Sequence, residues 1–228
     1  EIKSPIFYAV QKNINIQTGQ PTILDFDMQR ISQRINIVFN IRTEGNIKRE
    51  DLAAPIIELS GACGRFNIAD ACLDTTRLYR MAHQVQPDEF TQTGEGTYRC
   101  VVHFHTLGVI PSAAKGHLNG PGILQVALQV STPQLDSSGT PVVDEEGKPV
   151  KNSRYIYGAI NPYDELTAAQ LIEVRDGKIY LRYSKEDVNI EITTPLVIKA
   201  DQIVPNDTGM GWQPHDPTNP DDDIIIEI

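Results

Sequence analysis

The sequence predicts an all-β chain, an antiparallel β-sandwich with at most one short helix. Alternation of apolar and polar residues with period two recurs in short runs bounded by turn residues, the pattern of strands that turn one face to a core and one to water. About ten such runs can be counted, enough for two packed sheets. Helical periodicity is confined to one stretch, "DELTAAQLIEV" at 164–174, where Leu166, Ala169 and Gln170 follow an Asp cap.

Taken in order, "IFYAV" at 6–10 and "PTILDFDM" at 21–28 are short strand candidates. "RINIVFNIR" at 34–42 is the clearest, with Ile35, Ile37, Phe39 and Ile41 on one face and Asn36, Asn40 and Arg42 on the other. "PIIELSG" at 55–61 comes next. "TYRCVVHFH" at 97–105 then turns Tyr98, Cys100, Val102 and Phe104 inward and Arg99, His103 and His105 outward. "ILQVALQV" at 123–130 sets Leu124, Val126, Leu128 and Val130 against Gln125 and Gln129. "SRYIYGAI" at 153–160, "KIYLRYS" at 178–184, "VNIEITT" at 188–194, "TPLVIKA" at 194–200 and the terminal "IIIEI" complete the set.

Two connections are long. The stretch 130–152 carries Ser-Ser-Gly and Glu-Glu-Gly turn signals around "TPVV" and is expected to be a protruding hairpin. The stretch 204–223 is rich in Pro, Gly, Asn and Asp and is expected to be a coil leading to the last strand. The expected division is therefore an N-terminal remnant or first edge strand at 1–15, a sandwich domain at 16–205, and an acidic tail with a terminal strand at 206–228. No internal repeat at a fixed period is expected.

Formal net charge is -10 with a pI near 4.9, so a phosphate backbone would be repelled unless the basic residues gathered on one face, and no nucleic-acid partner is expected. No apolar run is long enough to span a membrane. Cys63, Cys72 and Cys100 do not describe a disulfide framework. A hairpin would bring Cys63 and Cys72 near one another, yet buried thiols acting as small hydrophobes are the preferred reading. The chain opens at Glu1 without an initiator Met, signal peptide or lipobox, so any targeting segment is expected to have been removed or left out of the given sequence.

Motifs of catalysis are missing from the sequence: there is no Gly-x-Ser-x-Gly elbow and no phosphate-cradling glycine loop, so no enzyme and no cofactor are expected. The "HFH" of His103 and His105 lacks a third ligand nearby and is taken as polar surface rather than a zinc site. The glycines of "SGACGRF" at 60–66 suit a tight turn or bulge. Asp216, Asp221, Asp222 and Asp223 offer oxygens of the kind calcium takes, but without the spacing of a calcium loop. They are better understood as charges that keep the terminal strand soluble until it pairs. The strand-pairing residues are Ile224, Ile225, Ile226 and Ile228, whose backbone requires a sheet edge, either the chain's own or a neighbour's. Trp212 is the expected anchor of the tail.

The order and spacing of "QRINIVFNIRTEG" at 33–45, "APIIELSGACGRFNIADACLD" at 54–74, "RCVVHFHTLGVI" at 99–110, "GILQVALQV" at 122–130 and "ADQIVPNDTGMGWQPHDPTNPDDDIIIEI" at 200–228 resemble the fimbrillin-like accessory proteins of Bacteroides-type type V fimbriae, the anchor and tip-associated subunits. The resemblance covers 20–228, and the N-terminal sandwich of that family is expected to be missing here or reduced to "EIKSPIFYAVQKN" at 1–13. It implies a transthyretin-like or immunoglobulin-like sandwich, and an exported lipoprotein at the cell outer membrane whose lipid anchor would lie outside the given sequence. Its partners would be other fimbrial subunits or surface proteins, and assembly would run by β-strand addition. From another class stands a carbohydrate- or protein-binding module using Tyr155, Tyr157, Tyr180, Tyr183 and Trp212. A phage or secretion-system subunit is a third expectation, to be told apart by symmetric self-assembly.

Overall fold

A computed structural model of the chain describes residues 4–45, 47–182, 187–199, 202–206 and 210–215. The strands are β1 (Phe7–Tyr8), β2 (Gln29–Arg30), β3 (Gln33–Glu44), β4 (Ile56–Asn67), β5 (Cys72–Gln84), β6 (Phe90–Gly94), β7 (Thr97–Thr106), β8 (Leu124–Pro133) and β9 (Lys151–Ile160). After helix α1 (Tyr163–Ala169) come β10 (Ile172–Arg175), β11 (Lys178–Leu181), β12 (Asp187–Lys199), β13 (Gln202–Ile203) and β14 (Gln213–Pro214). They form a seven-stranded sheet, β10-β11-β5-β4-β8-β9-β14, and a five-stranded sheet, β13-β12-β3-β7-β6, with β1 and β2 as a separate pair. The protein is all-β and sandwich-like.

One core lies between the sheets. Ile35, Ile37, Phe39 and Ile41 of β3 and Tyr98, Cys100, Val102 and Phe104 of β7 meet Ile57 and Leu59 of β4 and the Leu124, Val126, Leu128 and Val130 row of β8. Each such side chain contributes about 1.5–3 kcal/mol on leaving water, which is why alternation alone sets which face turns inward. The thiols of Cys63, Cys72 and Cys100 are buried and unpaired. Burial pushes those of Cys63 and Cys100 up to about 12, so they stay protonated at neutral pH.

Among the described residues every strand pairing is antiparallel but one: β12 runs parallel to β3, from Asp187 opposite Arg34 to Lys199 opposite Glu44. Alternation carries no information on direction. The two strands expected at 188–194 and 194–200 are one, interrupted where the register shifts between Ile192 and Leu196, around Pro195, whose missing amide breaks the ladder.

Elsewhere the structure corrects the sequence reading. The helix expected over 164–174 ends at Ala169, Gln170 turns left-handed, and Ile172 and Val174 enter a hairpin with β11 around Asp176 and Gly177. Its N-cap is Pro162, not Asp164, which lies in the first turn and binds Lys115 at 2.7 Å. "PTILDFDM" is not a strand: it has the alternation but no neighbour, and leaves Ile23 83 % exposed. Strands β5 and β6 went unforeseen. The protruding connection is a double hairpin built on a tandem octad, "LDSSGTPV" at 135–142 and "VDEEGKPV" at 143–150, which the expectation of no fixed-period repeat overlooked. In each copy the leading Asp accepts backbone amides two and four residues on, and a glycine with positive φ closes the turn.

Candidate functional site

Among the described residues, the five-stranded sheet leaves one long edge open. Strand β12 hydrogen-bonds β3 along one side, whereas β13 pairs with only Ile198 and Lys199 on the other. Over Asp187–Ile192 no strand among the described residues takes up the outer side, so a row of backbone groups there faces outward. Val188, Ile190 and Ile192 point into the core and Asp187, Asn189 and Glu191 to water, so the edge is fixed to the sandwich by its buried face. Helix α1 packs near it, and between them runs an open groove of about 470 Å³, lined by Glu165, Ala168, Ala169 and residues 187–191. Leu166 fastens the helix to the core, while the small side chains of Ala168 and Ala169 leave the groove unfilled.

Trp212 lies farther along the same strand, beside Thr194. It is 1 % exposed, its ring centroid is 5.2 Å from that of Phe39, and its Nε1–H donates to the Thr194 carbonyl at 3.0 Å. That carbonyl belongs to the interruption before Pro195, so the indole satisfies a backbone acceptor that the broken ladder releases. The residues after it form β14, which pairs with Gly158 and Ala159 of β9, and Trp212 thus bridges the two sheets. Being buried, it is withdrawn from the exposed aromatics. Ile224, Ile225, Ile226 and Ile228, the aspartates Asp216, Asp221, Asp222 and Asp223, and Tyr183 lie outside the described residues. No cluster of three or more His, Cys, Asp or Glu suited to a metal occurs among the described residues, and no helix among them is long and apolar enough to cross a membrane.

The "HFH" histidines belong to a polar lattice that local sequence gave no sign of. His103 Nδ1 lies 2.7 Å from Asn36 Oδ1, and the Asn36 amide donates to Asn189 of β12 at 2.8 Å, so the chain of contacts crosses three strands. His105 Nε2 is 3.1 Å from Ser32 Oγ. Glu89, from the connection between β5 and β6, joins the sheets: Oε2 is 2.7 Å from His83 Nε2 and also accepts the Gln86 amide, and Oε1 is 3.8 Å from His103. Burial pushes the Glu89 carboxyl upward, but the Gln86 amide, the His83 hydrogen bond and the two imidazole charges outweigh it and hold the group below its usual range. His103 is held low chiefly by burial, with Arg34 adding and Glu89 opposing.

Both shifts act in one direction. A carboxylate with a depressed folded pKa contributes stability above its unfolded value of about 4.3 and loses it as pH falls through the folded value. A histidine with a depressed pKa favours the neutral form, so stability is lost as pH falls from about 6.5. Glu89→Gln is expected to lower stability at pH 7 by about 1.5–3 kcal/mol, the contribution of hydrogen bonds to a charged group. The loss should shrink below pH 4, and urea unfolding of both proteins across pH 3–8 measures it.

What fold and site define together, among the described residues, is a two-sheet, all-β sandwich with an open strand edge flanked by a groove. Comparison with protein-family models, with characterised proteins and with solved structures found no match to this chain.

Proposed function

We propose that the protein is a non-catalytic structural or adhesion subunit of the cell surface, a component of or accessory to a Bacteroides-type fimbria, and that it assembles through β-strand pairing. The observation that carries this reading is the open outer side of β12 over Asp187–Ile192, where an extended segment adds a strand by main-chain hydrogen bonds. A second feature supports it. Nine of the sixteen exposed large hydrophobic side chains among the described residues lie between Ile6 and Met28, a segment with strand-like alternation and almost no sheet of its own. Export to the outer membrane and attachment by a lipid belong to the same reading and rest on the family resemblance. The terminal "IIIEI" is the strand offered to an edge, in its own sheet or a neighbour's.

Removal of residues 217–228 tests the reading. Light scattering should show higher-order assemblies for the full chain and none for the shortened one, and a labelled peptide of residues 216–228 should bind the shortened protein. A shortened protein with unchanged mass and melting temperature that ignores the peptide contradicts strand pairing. A large fall in melting temperature in a protein that is monomeric before and after assigns the strand to its own sheet and removes the assembly role.

A further inference from the structure

The outer face of the other sheet carries a second surface with a different chemistry. Inward Leu124, Val126, Leu128 and Val130 force Gln125, Ala127, Gln129 and Ser131 of β8 outward, and register places Ser153, Tyr155, Tyr157 and Ala159 of β9 beside them. Tyr155 and Tyr157 stack side by side, centroids 6.3 Å apart and planes 25° from parallel, with Tyr155 52 % exposed. Across from Tyr157 stands Ala127, too small to cover its ring.

The surface is bounded at both ends. Toward one, Ile123 and Ala159 are buried under Leu118, and Gln125 meets His215 at 3.2 Å between Nε2 atoms. Toward the other, the Ser131 and Ser153 hydroxyls lie 2.7 Å apart, just before the tandem hairpin leaves the sheet. Between these ends the residues are tyrosine, glutamine, alanine and serine, with no charge in a chain of net charge -10. Among the described residues, Glu58 on the neighbouring β4 is neutralised by Arg80 at 3.0 Å, and Lys151, two residues from Ser153 on the same face of β9, by Asp51 at 2.8 Å.

From this combination we infer that the Tyr155–Tyr157 platform is a binding site for a neutral oligosaccharide. The C–H face of a pyranose packs on an aromatic face, and planar amides and hydroxyls such as those of Gln129, Ser131 and Ser153 donate to and accept from its ring hydroxyls. The lack of charge excludes a reason to prefer carboxylated or sulfated sugars. The site is on the seven-stranded sheet and β12 is on the five-stranded one, so this inference stands or falls apart from strand pairing.

The full chain titrated calorimetrically with neutral hexasaccharides of glucose, mannose, galactose, xylose and N-acetylglucosamine should bind at least one with a Kd of about 1 mM or tighter. Tyr155→Ala and Tyr157→Ala should each weaken that binding by about tenfold or more. Tyr180→Ala, on β11 with Arg175 over its ring, should leave it unchanged. Tyr155 is half exposed, and its replacement should cost no more than about 1.5 kcal/mol, the value of its ring pair with Tyr157, so lost binding will not mean lost fold. No binding by any of the five sugars overturns the inference, as does binding indifferent to Tyr155→Ala. A dimer in sedimentation that Tyr155→Ala dissolves would overturn it too, and mark the platform as a contact between copies.

Discussion

Trp212→Ala is expected to lower stability by about 3–5 kcal/mol, the range for truncating a large aromatic in a close-packed core. For a chain of this length that corresponds to a fall in melting temperature on the order of 10 °C. Two losses combine. The indole is among the largest fully buried side chains and packs against Phe39, so its removal leaves a cavity between the sheets. It also releases the Thr194 carbonyl, which a broken strand cannot satisfy otherwise. Trp212→Phe separates the two, since phenylalanine restores most of the volume but donates no hydrogen bond. It should cost about 1–3 kcal/mol, the penalty of an unsatisfied buried acceptor. Thermal and urea unfolding of the three proteins measure this. Equal losses for Ala and Phe would mean that the hydrogen bond, not the packing, holds the tail.

The same residue shows what a linear pattern can carry. A lone tryptophan in a stretch of Pro, Gly and Asn announces that something apolar must hold that stretch, yet names neither Phe39 nor Thr194 as the holder. Strands β3, β7 and β8 were legible residue by residue, because each has one face in the core and the other in water, so burial writes period two directly. Strand β5 was not. It lies in the outer part of its sheet, where both faces are partly wet, and "CLDTTRLYRMAHQ" therefore shows no clean alternation. "PTILDFDM" errs the other way: it has the alternation without a sheet to join.

The candidate sites divide on the same line. Tyr155 and Tyr157 share a face by simple periodicity, so their pairing was legible in the sequence; the neutral surroundings come from β8, across a register the sequence does not state. The open edge of β12 depends on which strands lie beside it, and Glu89 reaches His103 only because the chain crosses between sheets there. Neither leaves a local mark. The tandem octad did leave one, since Asp, Gly, Pro and Val recur at intervals of eight, and two copies suffice to form it because each is a closed turn on its own.

Gly61→Ala is expected to be as damaging as any core truncation, although it adds only a methyl group. Gly61 occupies the break in β4 pairing between Leu59 and Ala62, with φ +85°. The conformation alone costs an L-residue about 1–2 kcal/mol. An added Cβ would also stand 2.6 Å from the Ile110 carbonyl oxygen and 2.7 Å from the Gly122 nitrogen, and both are backbone, so no rotamer can give way. Moving them means moving the Ile110 amide that donates to the Gly61 carbonyl at 2.9 Å and the Gly122 amide held by Ser60 at 3.1 Å. Strain, steric contact and lost hydrogen bonds together should exceed about 4 kcal/mol, the exceptional end of single-substitution effects. Gly45→Ala is the control: its φ is +85° as well, but nothing lies within 4 Å of the added Cβ. It should cost only the backbone part, about 1–2 kcal/mol. If denaturant unfolding gave equal losses for the two, the close approach of the 110–122 segment to β4 would contribute nothing, and the bulge at Gly61 would matter for its turn alone.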